Sequence, residues 1–122
     1  MSGRATILVV DDEPDIVEFV ELGLSVAGFD VVTAGDGLAA IERVRERKVD
    51  AIVSDLKMPG MDGVEVIEVL RRLAPRAPII LATGYLSADA ISRSLALGAS
   101  EYLGKPYTIN DLLAILERVL PG

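Results

Sequence analysis

The run Thr6-Ile-Leu-Val-Val-Asp-Asp-Glu-Pro14 joins four consecutive apolar residues to a cluster of carboxylates and a proline. An almost continuous apolar run of this kind is typical of a parallel strand that is buried on both faces of a sheet. The runs Ala51-Ile-Val53 and Ile79-Ile-Leu-Ala82 have the same character. The sequence therefore predicts three buried parallel strands.

Two weaker runs bring the number of predicted strands to five. The second strand is short and flanked by polar residues, which is typical of the edge of a sheet. The predicted strands are Thr6–Asp11, Asp30–Ala34, Ala51–Asp55, Ile79–Thr83 and Ser100–Gly104.

The segments between these strands have the apolar period of helices. We predict helices at Asp15–Ala27, Leu38–Arg47, Val64–Leu73, Ala88–Leu97 and Thr108–Leu120. In the first helix the predicted apolar stripe is Ile16, Phe19, Val20, Leu24 and Ala27. In the fourth helix Ile91 and Leu95 are the predicted inward anchors, and in the fifth helix the stripe is Ile109, Leu112, Leu113, Leu116, Val119 and Leu120.

Strand and helix alternate five times, which favours an α/β fold with helices on both faces of one sheet. Right-handed crossovers leave few arrangements. Five strands fit a doubly wound, flavodoxin-like parallel sheet with the order 2-1-3-4-5. A length of 122 residues is sufficient for one domain, and we expect residues 1–122 to form it.

The composition excludes several kinds of chemistry. The sequence has no cysteine and no histidine, so thiolate nucleophiles, disulfides and imidazole ligands are excluded. A net charge of −7 argues against direct binding of nucleic acid, which requires a basic face. No apolar run approaches the length of a membrane span, and the first residues lack a secretory signal. We expect a cytoplasmic protein that does not bind membranes.

Unusual polar side chains follow the predicted strands. Asp11 and Asp12 come at the end of the first strand, Asp55 ends the third, Thr83 ends the fourth, and Lys105 follows the fifth. In open parallel sheets the ligand site lies outside the carboxyl ends of the strands, at the switch point between strands 1 and 3. We therefore expect these five side chains to lie close together.

Three carboxylates in one place repel one another and require a compensating charge. Mg²⁺ fits this role, because it prefers a few carboxylates together with waters and a phosphate oxygen. With Mg²⁺ and Lys105 the formal charges balance. Asp55 is then placed to act as a nucleophile toward phosphorus, and Thr83 offers a hydroxyl to a phosphoryl oxygen.

Each of these pieces, taken alone, also has a purely structural explanation. Asp11-Asp12-Glu13 before Pro14 is the pattern of a helix N-terminus, where acidic residues favour the helix dipole. Tyr102 alone is an ordinary core or boundary aromatic. Asp55 at the end of a buried strand is harder to explain in this way, because an unpaired buried carboxylate is costly. The combination favours a functional site.

The polar motifs resemble those of a known family. They are Val-Val-Asp11-Asp12-Glu13-Pro14, Asp55-Leu-Lys-Met-Pro59-Gly60-Met-Asp-Gly63, Thr83-Gly84 and Lys105-Pro106. In this order and at this spacing they resemble the response regulator receiver domains (CheY-like) of two-component signal transduction systems. The resemblance covers essentially the whole chain.

The resemblance implies that Asp55 accepts a phosphoryl group from a sensor histidine kinase or a histidine phosphotransfer protein. It implies that Mg²⁺ is bound by Asp12, Asp55 and the backbone carbonyl of Lys57, with Asp11 contributing through water. The chain would catalyse only its own phosphorylation and dephosphorylation and would be no enzyme for a diffusible metabolite. It would be a stand-alone regulator, a phosphorelay intermediate or the receiver of a longer protein.

The resemblance also implies a switch. Thr83 and Lys105 would contact the phosphoryl group, Lys105–Pro106 would be a cis peptide, and the rotamer of Tyr102 would follow Thr83. We expect the fourth helix, fifth strand and fifth helix to form the responsive surface for a partner or for a second copy in a homodimer. In the sequence Leu97 and Ile115 have no evident core role, and the predicted partner surface is Arg93, Leu97, Tyr102 and Ile115.

Two other classes of protein fit parts of the pattern. A phosphatase of the haloacid dehalogenase type also uses a strand-end aspartate with Mg²⁺, but it needs a second carboxylate two residues later, where Lys57 stands. A flavodoxin-like binding module shares the predicted fold. It needs a phosphate loop after the first strand, and the carboxylates there would repel a phosphate.

Overall fold

The computed structural model describes residues 4–58, 60–84 and 87–120, and it contains alternating strands and helices. Pro59 of the second motif lies outside the described residues. The elements in chain order are β1 Thr6–Val10, α1 Pro14–Val26, β2 Asp30–Ala34, α2 Gly37–Glu46, β3 Ala51–Ser54, α3 Gly63–Leu73, β4 Ile79–Thr83, α4 Ala88–Ala96, β5 Glu101–Gly104 and α5 Ile109–Val119.

The five strands form one parallel sheet with the order β2-β1-β3-β4-β5, which confirms the predicted fold. In the register, Val9 lies between Thr33 of β2 and Val53 of β3. At the other side of the sheet Thr83 pairs with Gly104. Within the described residues, no helix is both long and apolar enough to cross a membrane.

The sheet separates two apolar cores. Alternate residues of each central strand enter opposite cores, because successive side chains of a strand point to opposite faces. Leu8 and Val10 pack with α2, α3 and α4, whereas Ile7 and Val9 pack with α1 and α5. Helices therefore cover both faces, and the continuous apolar runs of β1, β3 and β4 follow from this double burial.

Side chains and backbone groups fix the helix ends. Thr108 caps α5: its hydroxyl accepts from the Asp111 amide, while the Asp111 carboxylate accepts from the Thr108 amide. Asp36, Asp62 and Ser87 cap α2, α3 and α4 in the same position. Each cap satisfies amide groups that a helix N-terminus leaves unpaired.

The inward face of α4 agrees with the prediction only in part: Ile91 packs against the core formed with α2 and α3, as expected, but Leu95 does not. Leu95 is 43 % exposed, while the small residues Ala90 and Ser94 are buried against the rest of the protein. Leu97 at the end of this helix packs partly on the core formed with α2 and α3. The pattern of large apolar residues does not predict this part of the inward face of α4, because the side chains that pack closely there are small.

Two further expectations about apolar stripes are wrong. Ile115 is only 8 % exposed and belongs to the core of α1 and α5, because Leu112, Ile115 and Leu116 define the true centre of the α5 stripe. On α1, Phe19 is 48 % exposed and Ala27 is exposed beyond the helix end. Val20 and Leu24 carry the burial of this helix.

The start of α3 approaches the loop after β3 so closely that only glycine fits. A Cβ at Gly63 would overlap the carbonyl group and Cα of Leu56, which are backbone atoms that cannot rotate away. Gly63→Ala should therefore destabilise the protein by about 2–3 kcal/mol through overpacking. Urea unfolding measures this change.

Gly35→Ala is the matched control, because a Cβ there meets no atom of the described residues within 4 Å. Its effect should stay within about 0.5 kcal/mol, as for an ordinary surface substitution. Equal unfolding midpoints for the two variants would contradict the close approach at Gly63.

Candidate functional site

The predicted polar residues lie at the carboxyl edge of the sheet. Asp11 and Asp55 come directly after β1 and β3, Thr83 is the last residue of β4, and Lys105 follows β5. The backbone ladder continues one residue beyond the strands: the Asp55 amide donates to the Val10 carbonyl over 3.0 Å, and the Lys105 amide to the Thr83 carbonyl over 3.1 Å. The backbone of Asp55 and of Lys105 is thus hydrogen-bonded to the sheet.

The ammonium of Lys105 forms ion pairs with three carboxylates of the site. Its Nζ lies 2.7 Å from Asp11 Oδ2, 2.8 Å from Asp55 Oδ2 and 2.9 Å from Glu13 Oε1. The Lys105 side chain is 13 % exposed, whereas the two aspartates are almost fully buried. The Lys105–Pro106 bond is cis, as expected.

The other oxygens of the two aspartates are bound by the loops that follow them. Asp11 Oδ1 accepts from the Glu13 amide over 2.9 Å, and Asp55 Oδ1 accepts from the Lys57 amide over 3.1 Å. In each case the carboxylate bonds to the backbone two residues further on, a local turn that aspartate favours. Each carboxylate therefore has one oxygen fixed by backbone and one directed at Lys105.

The pKa values of Asp11 and Lys105 are both raised, for different reasons. Burial raises the pKa of Asp11, against the effects of the Lys105 hydrogen bond and the Glu13 amide. Burial by itself would lower the pKa of Lys105, but the bonds to Asp11, Asp55 and Glu13 outweigh it and raise that pKa. Lys105 therefore remains a cation across the physiological range of pH.

Four carboxylates in this region are close enough to share a cation. One oxygen from each of Asp11, Asp12, Glu13 and Asp55 lies within 4.8 Å of the others, and Asp12 and Glu13 are exposed. A set of carboxylate oxygens with open access fits Mg²⁺, a hard cation that retains several waters. Lys57, whose carbonyl was predicted as a ligand, has an exposed side chain and lies at the rim of the site.

The carboxylates open into a cavity of about 340 Å³. The cavity gives a small anionic group access to Asp55, and its wall includes the cation of Lys105. Gly84 lies beside it, where a Cβ would be at van der Waals distance from Lys105. The lining residues are Asp12, Glu13, Asp55, Lys57, Gly84 and Lys105.

The predicted switch residues lie on the neighbouring strands β4 and β5. Thr83 is completely buried, and Tyr102 is 37 % exposed on β5. A Cβ at Gly104 would come within 3.1 Å of the Tyr102 hydroxyl oxygen, so the aromatic ring extends along β5 over Gly104. Because Gly104 pairs with Thr83, the ring reaches the strand position beside the threonine.

The predicted partner surface is only partly exposed. Arg93 is exposed and lies 3.9 Å from Asp89, and Tyr102 presents part of its ring. Leu97 is half-buried and Ile115 is a core residue, as described above. The exposed part of this surface therefore consists of Arg93 and Tyr102.

The sequence did not indicate the roles of two residues. Glu13 occupies the helix N-terminus that its sequence pattern indicates, but its side chain makes no capping bond and reaches Lys105 instead. Tyr107 is half-buried near the site; burial and the charge of Asp11 raise its pKa to about 12. The contact of Glu13 involves a residue 92 positions away, and the pKa shift of Tyr107 depends first on its burial. Neither feature therefore leaves a local signal in the sequence.

Comparison with known proteins agrees with this geometry. Residues 7–117 match the family model of the response regulator receiver domain. The transcriptional regulatory protein PrrA of Mycobacterium tuberculosis is 39 % identical over 114 residues, which are 93 % of this chain and 49 % of PrrA. The chain thus spans about half the length of this curated relative.

Solved structures give the same result. Chemotaxis protein CheY4 of Vibrio cholerae has a TM-score of 0.90 and 35 % identity, over 97 % of this chain and 100 % of that one. Response regulator TrrA of Thermotoga maritima, in complex with Mg²⁺-BeF, has a TM-score of 0.85 and 34 % identity, over 95 % and 99 % of the two chains. The chain belongs to the response regulator receiver domains, a family of signalling domains.

Proposed function

We propose that this receiver domain is a phosphorylation-activated switch in which Asp55 accepts a phosphoryl group. The observation that carries the proposal is the position of the Asp55 carboxylate, which lies in an open cavity with the Lys105 ammonium 2.8 Å away. The donor is a phosphohistidine of a sensor histidine kinase or a histidine phosphotransfer protein. The domain works as one unit, and its own phosphorylation and dephosphorylation are its only reactions.

In the transfer, an oxygen of the Asp55 carboxylate forms a bond to phosphorus. The bond from phosphorus to the donor nitrogen breaks, and the imidazole takes that electron pair, so no oxidation or reduction occurs. The charge that develops on the phosphoryl oxygens is balanced by Lys105, and the Thr83 hydroxyl donates to one of those oxygens. In dephosphorylation, water attacks phosphorus and the Asp55 carboxylate is released.

Magnesium is the metal that the oxygen ligands favour. Asp12 and Asp55 would bind it, together with the carbonyl of Lys57, and Asp11 would contribute through water. When bound, Mg²⁺ supplies charge neutralisation at the phosphoryl oxygens. The crystallised relative TrrA contains Mg²⁺ with a beryllofluoride group, which agrees with this assignment.

Phosphorylation at Asp55 can be measured directly. Acetyl phosphate with Mg²⁺ should add one phosphoryl group to the chain, detected by intact mass. Asp55→Asn should abolish the addition, because an amide is not a nucleophile for phosphorus. Asp89→Asn, a charge-matched variant of an exposed aspartate, should be labelled normally.

The chemical nature of the product separates Asp55 from nearby hydroxyls. An acyl phosphate on aspartate is cleaved by hydroxylamine, whereas a phosphate ester of Ser54 or Thr83 resists it. Undiminished labelling of the Asp55→Asn protein, or a product stable to hydroxylamine, would contradict the assignment.

The metal assignment depends on Asp12, which is exposed at the mouth of the cavity. Asp12→Asn should weaken Mg²⁺ binding at least tenfold, because a neutral amide replaces a charged ligand. It should also raise the stability of the metal-free protein slightly by relieving repulsion among the carboxylates. Calorimetric titration and thermal unfolding measure the two effects, with Asp15→Asn as the control; an unchanged Mg²⁺ affinity would refute the site.

We further propose that α4, β5 and α5 carry the response to a partner or to a second copy. A Thr83 hydroxyl drawn toward the phosphoryl group would change the space beside Gly104, over which the Tyr102 ring lies. The charge added by phosphorylation would thereby shift the balance between two packing states of the Tyr102 ring. Arg93 and Tyr102 supply the exposed contacts of this surface.

Beryllofluoride with Mg²⁺ should mimic the phosphorylated state and shift amide NMR signals at Arg93, Leu97 and Tyr102. Thr83→Ala should confine the shifts to the cavity, whereas Thr83→Ser, which retains the hydroxyl, should preserve them. Sedimentation of the same samples tests the homodimer. Shifts that spread equally in the alanine variant would exclude Thr83 as the link.

A further inference from the structure

Glu13 makes a contact that the proposed transfer does not use. Its Oε1 lies 2.9 Å from Lys105 Nζ, although the two residues are 92 positions apart. A lysine ammonium has three N–H donors, and here Asp11, Asp55 and Glu13 provide one acceptor each. The cation is therefore saturated before any phosphoryl group arrives.

The helix beginning at Pro14 does not require this orientation of Glu13. Glu13 occupies the N-cap position of α1, where a side chain commonly accepts a bond from the helix backbone. It makes no such bond, and its own amide donates to Asp11 Oδ1 instead. The Glu13 carboxylate thus turns away from the helix and into the cavity that it lines together with Asp55.

A phosphoryl group on Asp55 brings negative charge into the same cavity and competes for the same ammonium. Release of Asp11 from Lys105 would leave a buried charge unpaired, which is strongly unfavourable. Glu13, whose side chain is 60 % exposed, can exchange the ammonium for water at little cost. Of the two partners that are not themselves phosphorylated, Asp11 and Glu13, Glu13 is therefore the one that can leave.

We propose that Glu13 is a positioning residue: a detachable third partner of Lys105 that holds the ammonium before transfer and is displaced by the phosphoryl oxygen. This inference rests on the proposed phosphorylation of Asp55. It implies that the Glu13 carboxylate opposes phosphorylation, both by occupying a donor of Lys105 and by repelling the incoming anion.

Glu13→Gln tests the proposal, with Glu18→Gln as the matched control. Glu18 is exposed on the next turn of α1, so its substitution removes the same charge without removing the contact to Lys105. The initial rate of labelling by acetyl phosphate should rise about two- to fivefold in Glu13→Gln relative to Glu18→Gln, the range expected for a partly exposed ion pair. Equal rates in the two variants would overturn the proposal.

A second measurement observes the displacement itself, without any turnover. In the wild-type protein the ¹³C signal of the Glu13 side-chain carboxylate, assigned by its loss in Glu13→Gln, should differ from that of Glu18. Beryllofluoride with Mg²⁺ should move it to the position of a free carboxylate, while the Glu18 signal stays unchanged. A Glu13 signal that does not respond to beryllofluoride would refute the displacement.

Magnesium titration separates this role from that of a metal ligand. Glu13→Gln should bind Mg²⁺ as Glu18→Gln does; a loss as large as that of Asp12→Asn would make Glu13 a ligand and overturn the proposal. Failure of the proposed function has a different signature, because the wild-type protein would then acquire no label at Asp55. A labelled wild type with identical glutamate variants refutes the role of Glu13 alone.

Discussion

The ion pairs of the Lys105 ammonium are the interaction on which the site depends. Asp11 and Asp55 are almost fully buried at the ends of two neighbouring strands, and each has one oxygen directed at this cation. Loss of one partner from a buried pair typically costs about 3–5 kcal/mol, because the remaining charge cannot be hydrated. The lysine thus makes it possible to place two buried carboxylates side by side at the edge of the sheet.

The sheet determines where these charges meet. Parallel strands end at the same edge, and the backbone hydrogen bonds continue one residue beyond them, through the amides of Asp11, Asp55 and Lys105. The backbone of these three residues is therefore hydrogen-bonded to the sheet, although each residue lies just beyond the end of its strand. Such preorganised charges can stabilise a transition state without having to rearrange at the moment of reaction.

The same edge brings Thr83 and Lys105 close to Tyr102 on β5. The Lys105 amide donates to the Thr83 carbonyl, and Tyr102 extends over Gly104, the residue that pairs with Thr83. Thr83 and Lys105 are thus adjacent in the sheet to the strand position covered by the Tyr102 ring. Small residues on the buried face of α4, such as Ala90 and Ser94, leave its larger apolar residue Leu95 exposed to solvent.

The apolar runs and their alternation with helices determined the sheet, its strand order and the strand ends at which Asp11, Asp55, Thr83 and Lys105 come together. These features follow from burial on two faces and from chain connectivity, which leave periodic signals in the sequence. The contact of Glu13 with Lys105, the burial of Ile115 and the orientation of α4 were decided only by tertiary packing. Each depends on the distance between residues far apart in the chain or on the exact rotation of a helix, and neither quantity is encoded in a local pattern.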